Sequence, residues 1–152
     1  MSTRCQIGFY EKDEQDLSKW EALLYRHSDG YPGKEDGSEY GVLADIVPFL
    51  KWWNNNRGIA DLEYCSARLL QHLCNQYDKE MSESEIKHQN AVVSERLRFT
   101  GILGHGICKI FHGDIEYFYA IYPDRLEVYK VPYDENWQSW KKIRTIRLAE
   151  KA

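Results

Sequence analysis

From residue 101 onward the apolar side chains of this chain recur at every second position, whereas between Gly41 and Tyr77 they recur at helical spacing. The two regimes do not interleave. Two short β-type runs precede the helical stretch and three or four follow it, giving the order strand, strand, helix, helix, strands. Segregation of this kind points to an α+β fold: a mostly antiparallel sheet of about five strands with two antiparallel helices packed on one face. The crossover helices that a doubly wound parallel sheet needs between its strands are missing. At 152 residues a single domain is expected. A chain of that size can bury roughly 68–70% of its unfolded surface without help from disulfides or metals.

Cys5 to Tyr10 (CQIGFY) and Trp20 to Arg26 (WEALLYR) read as strands, separated by the charged break Glu11 to Asp16. His27 to Ser38 (HSDGYPGKEDGS) is a loop, because glycine, proline and aspartate punctuate it throughout. Within Gly41 to Asn55, Val42, Ile46, Phe49 and Trp53 share an arc that Leu43 and Leu50 widen into a core-facing stripe. Pro48 inside that stripe predicts a kink or a restart of the helix, and Gly58 a left-handed stop. Asp61 to Tyr77 is the second helix, with Leu62, Leu69 and Leu73 on one face. Asp78 to Phe99 is polar and of mixed charge, and reads as an insertion. Ile107 to Phe111, Ile115 to Tyr122, Arg125 to Val131 and Ile143 to Leu148 are the later strands; Pro123-Asp124 turns a hairpin, and Trp137 and Trp140 plug a core edge.

Composition narrows the function classes. A net charge of −4 argues against a nucleic-acid coat, whose phosphate contacts need a basic footprint. Aromatic residues at 14% exclude disorder. The opening residues MSTRCQIGFYEKDEQ hold no apolar core of signal length, and no run approaches a membrane span. RLAEKA at the other end is no lipidation signal. A soluble cytoplasmic protein without a membrane partner is therefore expected. Cys5, Cys65, Cys74 and Cys108 form no C-x-x-C pair, and Cys65 and Cys74 fall on opposite faces of one helix. They read as small thiols in a reducing compartment. His72 stands two turns from Cys65, about 10 Å along the axis, too far to activate it. No G-x-S-x-G, H-E-x-x-H or zinc-deaminase pattern occurs. GILGHG at 101–106 precedes a strand instead of opening a helix, which a phosphate loop requires. No cofactor and no resident metal are expected.

Chemistry concentrates in two His-x-Asp motifs, His27-Ser28-Asp29 after the second strand and His112-Gly113-Asp114 between later ones. Brought together, they would form a four-ligand nitrogen and oxygen set for a divalent ion, or position a water beside a base. Arg4 and Arg26 can clamp an anion with the planar guanidinium fork. Taken singly, each motif reads first as turn chemistry, since Asp bonds its own backbone two residues on. Tyr117, Tyr119, Tyr129 and Trp137 would serve as a stacking platform for a base, but the nearby cations Lys130, Lys141, Lys142, Arg144 and Arg147 are diluted by carboxylates. Core and surface roles are favoured for these rings, and nucleic acid is an improbable partner.

Thr3-Arg4, the run Tyr25-Arg26-His27-Ser28-Asp29-Gly30-Tyr31-Pro32, then Gly41-Val42-Leu43 and His112-Gly113-Asp114-Ile115-Glu116-Tyr117 carry a resemblance. The chain resembles a group of small bacterial and bacteriophage proteins with a YRHxDGYP-like loop, over most of its length except 78–99. The resemblance implies kinship and a prokaryotic or phage setting; it implies no reaction.

The reading that follows is a non-enzymatic binding protein, acting as a homodimer or larger closed oligomer. Its contact loop runs from Arg26 to Tyr31 and meets a small anionic, nucleotide-like ligand or a partner protein. Arg26 would face negative charge, Tyr31 would stack, and Asp29 would set the loop geometry, with Arg4, His27, His112 and Asp114 as further contacts. Two alternatives stand beside it: a metal-assisted hydrolase using His27, Asp29, His112 and Asp114, and a phage-encoded inhibitor of a host defence system.

Overall fold

The computed structural model describes residues 3–80, 104–133 and 136–149. Strands β1 (Cys5–Phe9) and β2 (Ala22–Arg26) come first, then helices α1 (Val42–Asn56) and α2 (Leu62–Glu80). Strands β3 (His105–Ile107), β4 (Tyr117–Ile121), β5 (Arg125–Lys130) and β6 (Lys141–Arg147) complete one sheet in the order β3-β2-β1-β4-β5-β6. All neighbours are antiparallel except β1 and β4, which run parallel with Cys5 opposite Tyr117 and Phe9 opposite Ile121. The fold is α+β, as the segregated periodicities require, but with six strands where about five were expected. The sixth is the three-residue β3. The apolar run after it leaves the sheet because the Gln6 amide holds it: Gln6 Nε2 donates to the Ile110 carbonyl (2.9 Å), and the His112 N–H donates to Gln6 Oε1 (2.9 Å).

α1 runs unbroken through Pro48, so the helix does not restart there. Pro48 cannot donate to the carbonyl four residues back. The buried stripe Val42, Leu43, Ile46, Val47, Leu50 and Trp53 outweighs that single lost bond, each such side chain stabilising by roughly 1.5–3 kcal/mol. At the far end Gly58 takes φ +103°, and Arg57 and Gly58 both donate to the Trp53 carbonyl. α2 then returns alongside α1. His72 stacks on Phe49 (5.2 Å) and its Nε2 lies 3.2 Å from the Asp45 carbonyl oxygen, while Arg57 caps the Tyr64 ring near the turn. α2 extends to Glu80, so the first residues of the polar stretch are helical; 81–99 lie outside the described residues.

Both faces of the sheet are covered. On one, Cys5, Ile7, Phe9, Tyr119, Ile121, Leu126, Val128 and Ile146 meet the helix pair. On the other, Phe118, Ala120 and Leu23 lie beneath Tyr10, Leu17, Ile115 and Trp140, with Phe111, Trp20 and Trp137 packed at the margin. Trp140 lies tilted over Phe118 (5.0 Å) and edge-on to Phe111 (4.9 Å), the plug anticipated from its place before the last strand. No helix among the described residues is long and apolar enough to cross a membrane.

Candidate functional site

Strand alternation decides where the motif residues go. Tyr25 and Arg26 are neighbours on β2, so they leave the sheet on opposite sides. Arg26 turns under the helices and is 4% exposed. Its Nη1 meets Asp45 Oδ2 on α1 at 2.7 Å, its Nε donates to the Ser28 carbonyl (3.0 Å), and its Nη2 donates to the Tyr40 hydroxyl (3.2 Å). Burial pushes the neighbouring Cys5 thiol up to about 12, against the lowering influence of the Arg26 charge. The expected ligand-facing Arg26 is therefore an inward-facing one. Its guanidinium ties loop, strand and helix together.

The loop itself is fastened at many points. The Gly30 N–H donates to the Thr3 carbonyl (2.9 Å), and the buried Tyr119 hydroxyl donates to the Gly30 carbonyl (2.7 Å). Val42 and Leu43 donate to the carbonyls of Tyr31 and Pro32 (both 2.9 Å), and Glu35 pairs with Arg144 of β6. At its neck Gly33 and Gly41 lie back to back: Gly33 sits at φ +61°, and a Cβ on either would come within 2.5 Å of backbone. Asp29 holds the left-handed region (φ 55°), with its side chain exposed. Tyr31 is half-buried and stands edge-on to the exposed ring of Tyr40 (6.5 Å, 82°). The cavity beside Arg26, Asp29, Asp45, Gln76 and His105 measures about 20 Å³, room for a single water. His27 is half-buried, and its N–H donates to the Gly104 carbonyl (2.8 Å).

Arg4, His112 and Asp114 gather on the opposite face around Tyr25. The Tyr25 hydroxyl donates to Asp114 Oδ2 (3.3 Å), Arg4 Nη1 approaches the same oxygen at 3.6 Å, and the His112 ring lies 5.0 Å from that of Tyr25. Burial, with the Asp114 charge adding to it, pushes the Tyr25 phenol up to about 12. The structure thus joins Arg4, His112 and Asp114, and separates them by the thickness of the sheet from Arg26 and from the cavity that Asp29 lines. Among the described residues no three His, Cys, Asp or Glu side chains converge as metal ligands, and the four-ligand set His27, Asp29, His112 and Asp114 is not assembled. The imagined stacking platform is likewise split. Tyr119 is fully buried on the helix face, whereas Tyr129 and Trp137 belong to the other face.

Sequence reasoning missed a polar nest on β5. Arg125, Glu127 and Tyr129 alternate onto one face, a period-two signal open to reading in the sequence. Glu127, 6% exposed, accepts from Arg125 Nε (3.0 Å), Tyr129 Oη (2.8 Å) and Lys142 Nζ (3.4 Å). Arg125 also holds Asp13 (2.6 Å) and Asp124 (3.0 Å). Burial opposes the Glu127 charge, but the Arg125 and Tyr129 hydrogen bonds and the Arg125 and Lys142 charges outweigh it, so the carboxyl is held below the usual glutamate range. A cavity of about 180 Å³ opens beside this nest, and a larger one of about 420 Å³ lies among Glu11, Glu21, Asp61 and Glu63. Carboxylates line both, beside Arg125 and Lys142 in the first, and among their lining residues no nucleophile is poised against a base.

No protein-family model matches the sequence, and neither a curated protein nor a solved structure matches it.

Proposed function

We propose that the chain is a binding protein, not a catalyst, and that it engages a partner protein through the surface of the 27–40 loop. The anchoring of that loop carries the reading. Hydrogen bonds to Thr3 ahead of β1, to β4 and to α1, and the ion pair to β6, hold it in one conformation, leaving Asp29 and Tyr40 exposed and Tyr31 half-exposed. A loop ordered in advance loses little entropy on association, and tyrosine is enriched where protein surfaces meet. A partner protein is favoured over a small anionic ligand because Arg26 spends its donors internally and the cavity beside it holds about one water. Kinship with the bacterial and phage group, a cytoplasmic setting and a closed homo-oligomer belong to the same proposal; sedimentation velocity tests the last.

Photo-crosslinking from position 40, with position 11 as control, tests the surface. A single adduct at position 40 is expected, competed by unlabelled protein and lost with Tyr31→Ala. Equal labelling from both positions, or no adduct at position 40, overturns the proposal. Saturable binding in a nucleotide titration would return the reading to a small ligand.

A further inference from the structure

Strand β6 ends the sheet, and among the described residues no strand pairs with its outer side. Its seven residues include Lys141, Lys142, Arg144 and Arg147 and no carboxylate, in a chain whose net charge is −4. Every residue of the strand except Ile146 is exposed. Glu127 pairs with Lys142 and Glu35 with Arg144, whereas no carboxylate among the described residues pairs with Lys141 or Arg147. Ile143 is the residue left over in the register with β5, where Val128 faces Arg144 and Tyr129 faces Lys142. It stands 48% exposed. Past the end of the strand a cavity of about 270 Å³ is lined by Lys51, Asn55, Arg147, Leu148 and Ala149, so Lys51 of α1 joins the strand's Arg147 there as a second cation.

A second copy is a poor occupant. Antiparallel pairing centred on Arg144 would set Arg144 against itself and Lys141 against Arg147, and like charges directly opposite destabilise a strand pair. Basic residues and a bulge are also the ordinary means of keeping an edge from aggregating. The cation-lined cavity goes beyond that need. We propose that β6 and this cavity form a docking edge for an acidic, extended peptide segment, which adds to the sheet as a seventh strand. Main-chain hydrogen bonds hold it, and carboxylates on both of its faces meet Lys141 on the helix side and Arg147 on the other, with Lys51 beyond in the cavity. The edge is distinct from the loop surface proposed above and stands without it.

Fluorescence anisotropy of a labelled heptapeptide of glutamate and valine, with two adjacent glutamates at each end so that both faces of the strand carry them, titrated with the full chain, tests this edge. Saturable binding is expected, with none for a lysine–valine peptide. The double variant K141E/R147E is expected to weaken binding by about tenfold or more, and Lys51→Glu, an independent exposed change, by about threefold. Circular dichroism checks that both variants remain folded. Peptides N-methylated on alternate residues separate strand pairing from plain attraction, since only one phase places its N–H groups toward β6. One phase should lose binding and the other retain it. Glu11→Ala, an exposed change outside both proposed surfaces, should leave peptide binding unchanged. Failure of the glutamate–valine peptide to bind, indifference to K141E/R147E and to Lys51→Glu, or identical behaviour of the two methylated phases overturns the proposal.

Discussion

At the scale of single residues, the buried pair Arg26–Asp45 sets the terms. Both side chains are nearly inaccessible, 5% and 11% exposed. Removing one partner strands the other charge in a low-dielectric interior, which costs about 3–5 kcal/mol. Arg26→Ala should therefore lower the unfolding free energy measured in urea by that amount, and the double variant R26M/D45L should recover most of it. A ligand-binding arginine would show no such rescue. The thiols give a second expectation. Burial pushes Cys5 and Cys65 up to about 12, so both stay protonated at pH 8. Neither should react with Ellman's reagent in the native protein, and both should react once urea unfolds it. That Arg26 faces inward was not legible in the sequence. Its position on the strand was, but its partner lies nineteen residues on, across a loop whose path no local pattern specifies.

At the scale of elements, the loop neck is the most demanding place. Gly33 lies in the left-handed region with backbone 2.5 Å from where a Cβ would stand, and Gly41 meets Gly33 and Pro32 equally closely. Gly33→Ala or Gly41→Ala should cost on the order of 2–4 kcal/mol by equilibrium unfolding. Gly37, at φ +81° with open space around it, should cost only the backbone term, about 1 kcal/mol for alanine. The helices and the hairpin of β4 and β5 were readable because their apolar spacing is unambiguous, as at Val42, Ile46 and Leu50 or at Leu126 and Val128. β3 was not. Three residues carry no period; Cys108 still donates to the Leu23 carbonyl of β2, and beyond it the Gln6 amide holds the Ile110 carbonyl and the His112 N–H away from the sheet. The restart expected at Pro48 fails for a related reason: propensity counts the missing donor but not the six buried side chains that hold the helix across it.

At the scale of the whole molecule, the β5 nest links stability to pH. Glu127 titrates below the ordinary glutamate value of 4.5 in the folded protein. Its contribution is therefore fully present above that value and is lost as pH falls through the lower native one. Urea midpoints measured from pH 7 down to pH 3 should drop in that window, and Glu127→Gln should flatten this part of the drop. The nest and the outer aromatic layer also explain why a sheet with strands of both orientations has no bare face. Its centre has a further implication. β1 is flanked by β2 on one side and by the parallel β4 on the other, so the first strand made must wait for one near the far end of the chain. At typical rates of synthesis the delay is on the order of ten seconds. Throughout that interval the two completed helices have only half a floor beneath them, so a chain truncated before Ile121 is expected to be degraded and to give no cooperative unfolding transition.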